Sequence, residues 1–221
     1  MGIYHFPSEF VYWTKYEKHD EMKNKIVDRI NKLETAHANN HAGLDNAYTS
    51  YDTEPGPTLF LNNPKLVESL VFEPFRKMLV EYNSRENTNK ITVNEVTIGD
   101  SWYTKYSEGG TFHLHSHDDL SQYIGGKRFN LAFSLIYILN DKNERNSTRF
   151  FIPTGSTTSA VCHRDITFNT GGIKNIGEGS VIIFPSSLYH TVVPCIKPGR
   201  ITISYNLMCA FDPEPSVKLS D

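Results

Sequence analysis

The strongest constraint on the fold is a change of hydrophobic period near Asn89. Beyond it, runs rich in β-branched and aromatic residues at 91–97, 101–106, 112–117, 129–139, 149–152, 180–184, 191–194 and 200–208 read as strands, with Gly, Pro and Asn between them. Many short strands of this kind close into a sandwich or barrel. Upstream, Met22, Ile26, Ile30 and Leu33 recur at helical spacing within 16–34, where His19 is expected as a partly exposed first-turn residue. Asn62-Asn63-Pro64 opens a second helix whose apolar face, including Leu66, Leu70, Phe75, Met78 and Tyr82, runs to about Asn83. The segment 1–14, with Phe6-Pro7, reads as extended chain laid on the core, and 35–57 as a long connection with His37 and His41 in solvent. One domain is expected over 1–221, with 1–89 as helical support and 90–210 as the β core.

Composition excludes several classes of partner. A formal charge of −3 over 221 residues gives no electrostatic footprint for nucleic acid or an anionic membrane. The apolar run 131–139 is broken by Ser134 and is too short to span a bilayer, and no basic segment leads into an apolar stretch at the N-terminus. Cys162, Cys195 and Cys209 are odd in number and lack paired spacing, so they read as free thiols in a reducing compartment. A cytoplasmic protein with neither nucleic-acid nor membrane partners is expected.

The stretch Thr111-Phe-His-Leu-His-Ser-His-Asp-Asp119 carries the chemistry. Alternate positions on a strand share a face, so His113, His115 and His117 can present three imidazoles together. A ligand pair two residues apart has three possible registers: His113 with His115, His115 with His117, or His117 with Asp119. The second is preferred, with His113 then a pocket residue. A distant fragment, Phe184-Pro185 followed by His190, Arg200 and Thr202, supplies a third imidazole and a cation. The last strand alternates Arg200, Thr202, Ser204 and Asn206 with Ile201, Ile203, Tyr205 and Leu207, so one of its faces is wholly polar. Three connections, 118–128, 140–148 and 153–176, are long for a compact β fold and read as mobile lids or insertions. Cys162-His163 sits in the last of them without a paired partner and reads as structural or exposed.

Over roughly 102–207 these residues resemble the 2-oxoglutarate- and Fe(II)-dependent dioxygenases, in particular a prolyl-hydroxylase-like bacterial and viral branch with a His-x-His proximal motif. The resemblance rests on Tyr106, Gly109, Phe112, His115 and His117, then Leu135 to Asn140, then Phe184-Pro185, His190, Arg200 and Thr202. It implies a mainly β double-stranded β-helix, a jelly-roll of cupin type with N-terminal helices. It implies iron held by His115, His117 and His190, and 2-oxoglutarate clamped by Arg200 through a bidentate pair, with Thr202 donating and Tyr106 and Ser134 as further contacts. The implied reaction uses dioxygen, hydroxylates a C–H bond and converts 2-oxoglutarate to succinate, on a small-molecule or peptidyl substrate. The family's usual acidic ligand is here His117, which leaves the site one negative charge short.

Two other readings fit the same residues. One is a three-histidine metal dioxygenase of cupin type without 2-oxoglutarate, and Arg200 and Thr202 speak against it. The other is a non-enzymatic jelly-roll interaction module with an incidental or zinc-bound histidine cluster.

Overall fold

The computed structural model describes residues 10–33, 44–51, 61–86, 90–117, 120–141, 147–151, 167–171 and 173–211. The elements in chain order are β1 (Tyr12–Lys15), α1 (His19–Leu33), β2 (Leu44–Thr49), α2 (Pro64–Val67), a π-helical turn (Glu68–Phe72), α3 (Glu73–Ser84), β3 (Glu95–His115), β4 (Ser121–Ile124), β5 (Lys127–Asn140), β6 (Thr148–Phe151), β7 (Thr167–Asn169), β8 (Ser180–Pro185), β9 (Tyr189–Val192) and β10 (Arg200–Ala210). All strand pairings are antiparallel, in the order β1-β8-β5-β10-β3-β9-β6-β7, with β2 added to β3 and β4 to β5. This is the curled sheet of a jelly-roll, the double-stranded β-helix that the sequence led us to expect.

The curl depends on β3, which fuses three segments read separately from the sequence. Its first part pairs with β10 from Glu95 to Tyr106, and its end pairs with β9 at Phe112 and His115. Between them lie Gly109, at φ 74, and Gly110, where an added Cβ would stand 2.7 Å from Asn46 O. A side chain at either position would strain or block the bend that carries the strand from one layer to the other. β2 follows this bend with its own irregularity at Asn46, φ 47. The sequence reading placed β2 in a connection because its run is short of aliphatics. It forms because Leu44 and Ala47 pack against Tyr106 and Phe112.

Strand alternation separates two cores. Ile201, Ile203, Tyr205 and Leu207 join Leu135, Tyr137, Val181 and Ile183 beneath Ile26 and Ile30 of α1 and Leu70, Phe75 and Met78 of the second helical segment. Each such buried side chain contributes about 1.5–3 kcal/mol. The opposite phase, with Ile136, Ile138, Ile182, Phe184 and Phe150, lines the inside of the roll. The π-turn falls just ahead of Pro74, whose ring would clash with an α-helical carbonyl and which has no N–H to give.

Two local expectations need correction. Most of 118–128, read as a lid loop, is the hairpin β4-β5, closed by Gly125 (φ 57) and Gly126 (φ 81). Positive φ at both central residues suits a tight two-residue hairpin turn. His19 is not merely an exposed first-turn residue: its Nδ1 lies 2.6 Å from the Tyr137 hydroxyl and its Nε2 3.4 Å from Glu178 Oε1. Phe6-Pro7, His37, His41, Asp119 and Cys162-His163 lie outside the described residues; Cys195 and Cys209 are free and buried.

Candidate metal centre

Three backbone positions bring the histidines together. His115 closes β3, His190 lies opposite it in register on β9, and His117 stands two residues past β3, where its N–H donates to Ser186 O at 2.9 Å. One ring nitrogen from each lies within 4.8 Å of the other two. Sequence spacing placed the pair, and strand pairing supplied the third.

The available nitrogen of each ring follows from its hydrogen bonds. His115 Nδ1 faces His113 O at 2.8 Å, His190 Nδ1 faces Leu188 O at 3.0 Å, and His117 Nδ1 faces Asn206 Oδ1 at 2.7 Å. These oxygens only accept, so Nδ1 carries the proton and Nε2 keeps its lone pair. Burial, with His115 and His117 alongside, holds the His190 imidazole well below its ordinary range, against the upward pull of the Leu188 carbonyl. His190 is therefore in its neutral, ligating form at neutral pH. Three bare imidazole nitrogens this close fit one divalent transition ion, iron among those that imidazole suits.

Asp100 was not singled out in the sequence, and Asn206 was read only as part of the polar face of the last strand. Asn206 Nδ2 donates to Asp100 Oδ2 at 3.3 Å, while its Oδ1 also accepts from Ser134 Oγ at 3.1 Å. A carboxylate can only accept, so Asp100 decides which end of the amide meets His117, and hence which nitrogen of His117 is bare. The signal was available in outline: Asp100, Trp102, Thr104 and Tyr106 alternate along one strand, and Asn206 ends the polar face of β10. Ser134, expected at the cosubstrate, lines the inner chamber and also bonds Asn206, with its Oγ 3.2 Å from Ser186 Oγ.

Inward from the histidines is a narrow chamber lined among others by Thr104, Tyr106, Ser134, Thr148, Thr202 and Ser204. Tyr106 bonds Thr202 and Thr104; burial pushes its hydroxyl up to about 12, opposed by Arg200 and those two bonds. Arg200 is 1% exposed, with its guanidinium carbon 5.9 Å from the centroid of the Tyr106 ring. Its Nη2 donates to Thr148 Oγ1 at 3.2 Å, and its Nη1 lies 3.5 Å from Asp141 Oδ2. Its Nε and Nη1 make no hydrogen bond among the described residues. Buried donors left in this state favour an incoming acceptor. Outward from the histidines lies an open cleft, which shares Trp102, Phe112, His115 and His117 with the chamber.

His113 does not join the site. Its Nε2 lies 2.8 Å from Asp45 Oδ2 on the outer surface, with the side chain 60% exposed. The register slips between Phe112 and His115, and this irregularity breaks the alternation that would have aligned all three histidines.

No protein-family model and no curated protein matches the chain by sequence. Solved structures match it in fold. A Pseudomonas putida prolyl-4-hydroxylase matches at 11% identity and TM-score 0.51, over 92% of this chain and 93% of that one. HygX from Streptomyces hygroscopicus, with nickel, 2-oxoglutarate and hygromycin B bound, matches at 12% identity and TM-score 0.55, over 89% and 82%. OsALKBH1 matches at 12% identity and TM-score 0.59, over 92% and 100%. The chain thus has the double-stranded β-helix fold of the 2-oxoglutarate- and Fe(II)-dependent oxygenases.

Proposed function

We propose that the protein is an Fe(II)- and 2-oxoglutarate-dependent dioxygenase that hydroxylates a C–H bond of a small-molecule or peptidyl substrate. The observation that carries this reading is the pairing of three convergent imidazoles with an adjoining hydroxyl-lined chamber backed by a buried guanidinium. HygX, similar in fold, holds a metal and 2-oxoglutarate together, which supports the same cofactor pair here.

In this reading His115, His117 and His190 hold the metal through Nε2, with each Nδ1 proton committed to a protein oxygen so that the rings cannot turn or change tautomer. Bound iron supplies dioxygen activation coupled to oxidative decarboxylation of 2-oxoglutarate to succinate. Arg200 receives the distal carboxylate of 2-oxoglutarate with its unused N–H groups, and Thr202 and Tyr106 offer hydroxyls beside it. Phe112, Phe184 and Val192 keep the chamber walls apolar and exclude water from the carboxylate pair. With no carboxylate among the three ligands, Asp100 is the negative charge that the described residues link to the site, through Asn206 and His117.

The three-histidine dioxygenase that dispenses with 2-oxoglutarate draws on one observation, the presence of Asp141 beside Arg200. Titration of 2-oxoglutarate into anaerobic Fe(II) protein separates the two readings. Saturable binding that disappears in Arg200→Ala is expected; absence of binding in wild type moves the alternative to first place.

A further inference from the structure

We infer that the outer cleft binds a substrate carrying a protonated amine on an apolar frame, with the amine docked on Asp100. This deepens the proposed function and rests on it, because the cleft is read as the substrate's side of the metal.

The cleft wall is apolar and aromatic: Tyr51, Trp102, Phe112, Leu120 and Leu131. Its single formally charged member among the described residues, apart from the two histidines, is Asp100. One Asp100 oxygen, Oδ2, accepts from Asn206 at 3.3 Å, and its other oxygen has no protein partner among the described residues. A carboxylate oxygen left open beside apolar walls is best satisfied by a cationic donor, since a neutral donor leaves the charge unbalanced in a partly dehydrated site. The aromatic groups add to this preference. Trp102 stacks on His117 at 5.9 Å, and the Tyr51 ring meets Trp102 edge-on at 5.1 Å, so aromatic rings line the same cleft as the carboxylate.

The two compartments carry different charged groups: Arg200 with its partner Asp141 inside, Asp100 outside. A guanidinium backs the inner chamber and a carboxylate faces the outer cleft, with the histidines between them. A dicarboxylate is drawn inward, a cation is held outward, and exchange of the two would bring like charges together. Asp100 thereby has two tasks on its two oxygens: orienting Asn206 with one and receiving substrate with the other.

The test uses three probes of matched shape, 3-phenylpropylamine, 3-phenylpropanol and 3-phenylpropanoate. Each is titrated into the zinc-loaded full chain saturated with 2-oxoglutarate, with binding read from Trp102 fluorescence in a Trp13→Phe background. The amine should bind about tenfold or more tighter than the alcohol, and the carboxylate weakest. In Asp100→Asn the ratio of amine to alcohol affinity should fall to about one, with zinc content and 2-oxoglutarate binding read on the same variant. Equal binding of amine and alcohol, tightest binding of the carboxylate, no binding of any probe, or a preference that survives Asp100→Asn would each overturn the inference. A parallel titration of 2-oxoglutarate keeps the readings apart: if 2-oxoglutarate binds and the amine does not, only the substrate assignment fails.

Discussion

Asp141 Oδ2 stands 3.5 Å from Arg200 Nη1, with the two side chains 4% and 0% exposed. The Asp141 backbone N–H is fixed in turn by Glu178 Oε2 at 2.9 Å, so α1, the β8 turn and the blind end of the chamber are mechanically joined. A buried cation is tolerated only with a counter-charge, and here the chain supplies one of its own. Asp141→Ala should therefore lower stability by about 3–5 kcal/mol in a urea melt. Added 2-oxoglutarate should raise the melting temperature of this variant more than that of wild type, because it restores the missing negative charge. A loss too small to measure would mean that Arg200 does not need Asp141.

Arg200→Ala should weaken 2-oxoglutarate binding by about 2–5 kcal/mol, leaving metal content nearly unchanged. Arg200→Lys should recover only part of this, since an ammonium lacks the two-pronged donor geometry. Thr202→Val should cost about 1 kcal/mol or somewhat more, the acceptor being charged. Calorimetric titration under nitrogen reads all three.

One transition metal per chain is expected after reconstitution, and His115→Ala, His117→Ala and His190→Ala should each abolish tight binding. Asp119→Ala should keep its metal. Retention in His117→Ala together with loss in Asp119→Ala would reverse the ligand assignment to the His117 and Asp119 register.

Asn206→Ala removes the acceptor for His117 Nδ1 and should reduce metal affinity by about 10–100-fold, measured by competition with a chelating dye. Ser134→Ala removes the second bond to the same amide oxygen and the contact with Ser186 but leaves the acceptor for His117 in place, and should have a smaller effect.

Glu178 is pulled in two directions: burial raises its carboxyl, but bonds from Lys23 at 2.5 Å, the Asp141 amide and His19 outweigh this, so its net shift is downward. A carboxylate lowered in the folded state contributes stability that is complete above its ordinary value of 4.5 and is lost as pH falls through the lower folded value. Glu178→Gln should therefore be less stable than wild type at neutral pH, and the difference should shrink with acidification. Urea melts between about pH 6 and pH 3 measure it.

Local pattern was sufficient for the helices, most strands and the existence of a polar face on β10, because periodicity records which residues share a side; that this face turns inward came only from the resemblance. The pattern marked His115 with His117 as one of three possible ligand pairs, and it set out His190, Arg200 and Thr202 as a second fragment. It overextended to His113, since a β-irregularity two residues long leaves no clear mark in a run of alternating residues. It missed β2, whose few apolar side chains gain their partners only when β3 bends at Gly109 and Gly110.

What the sequence by itself determined, then, is the inventory of donors and the period of each element. The tertiary structure alone decided which donors meet. His190 reaches His115 only through the β3-β9 pairing, and Asp100 reaches His117 only through an amide on β10, 106 residues away in the chain. Asp141 finds Arg200 across the end of β10 for the same reason. Such contacts are set by strand register across the curled sheet, a relation between distant segments that no single stretch of chain encodes.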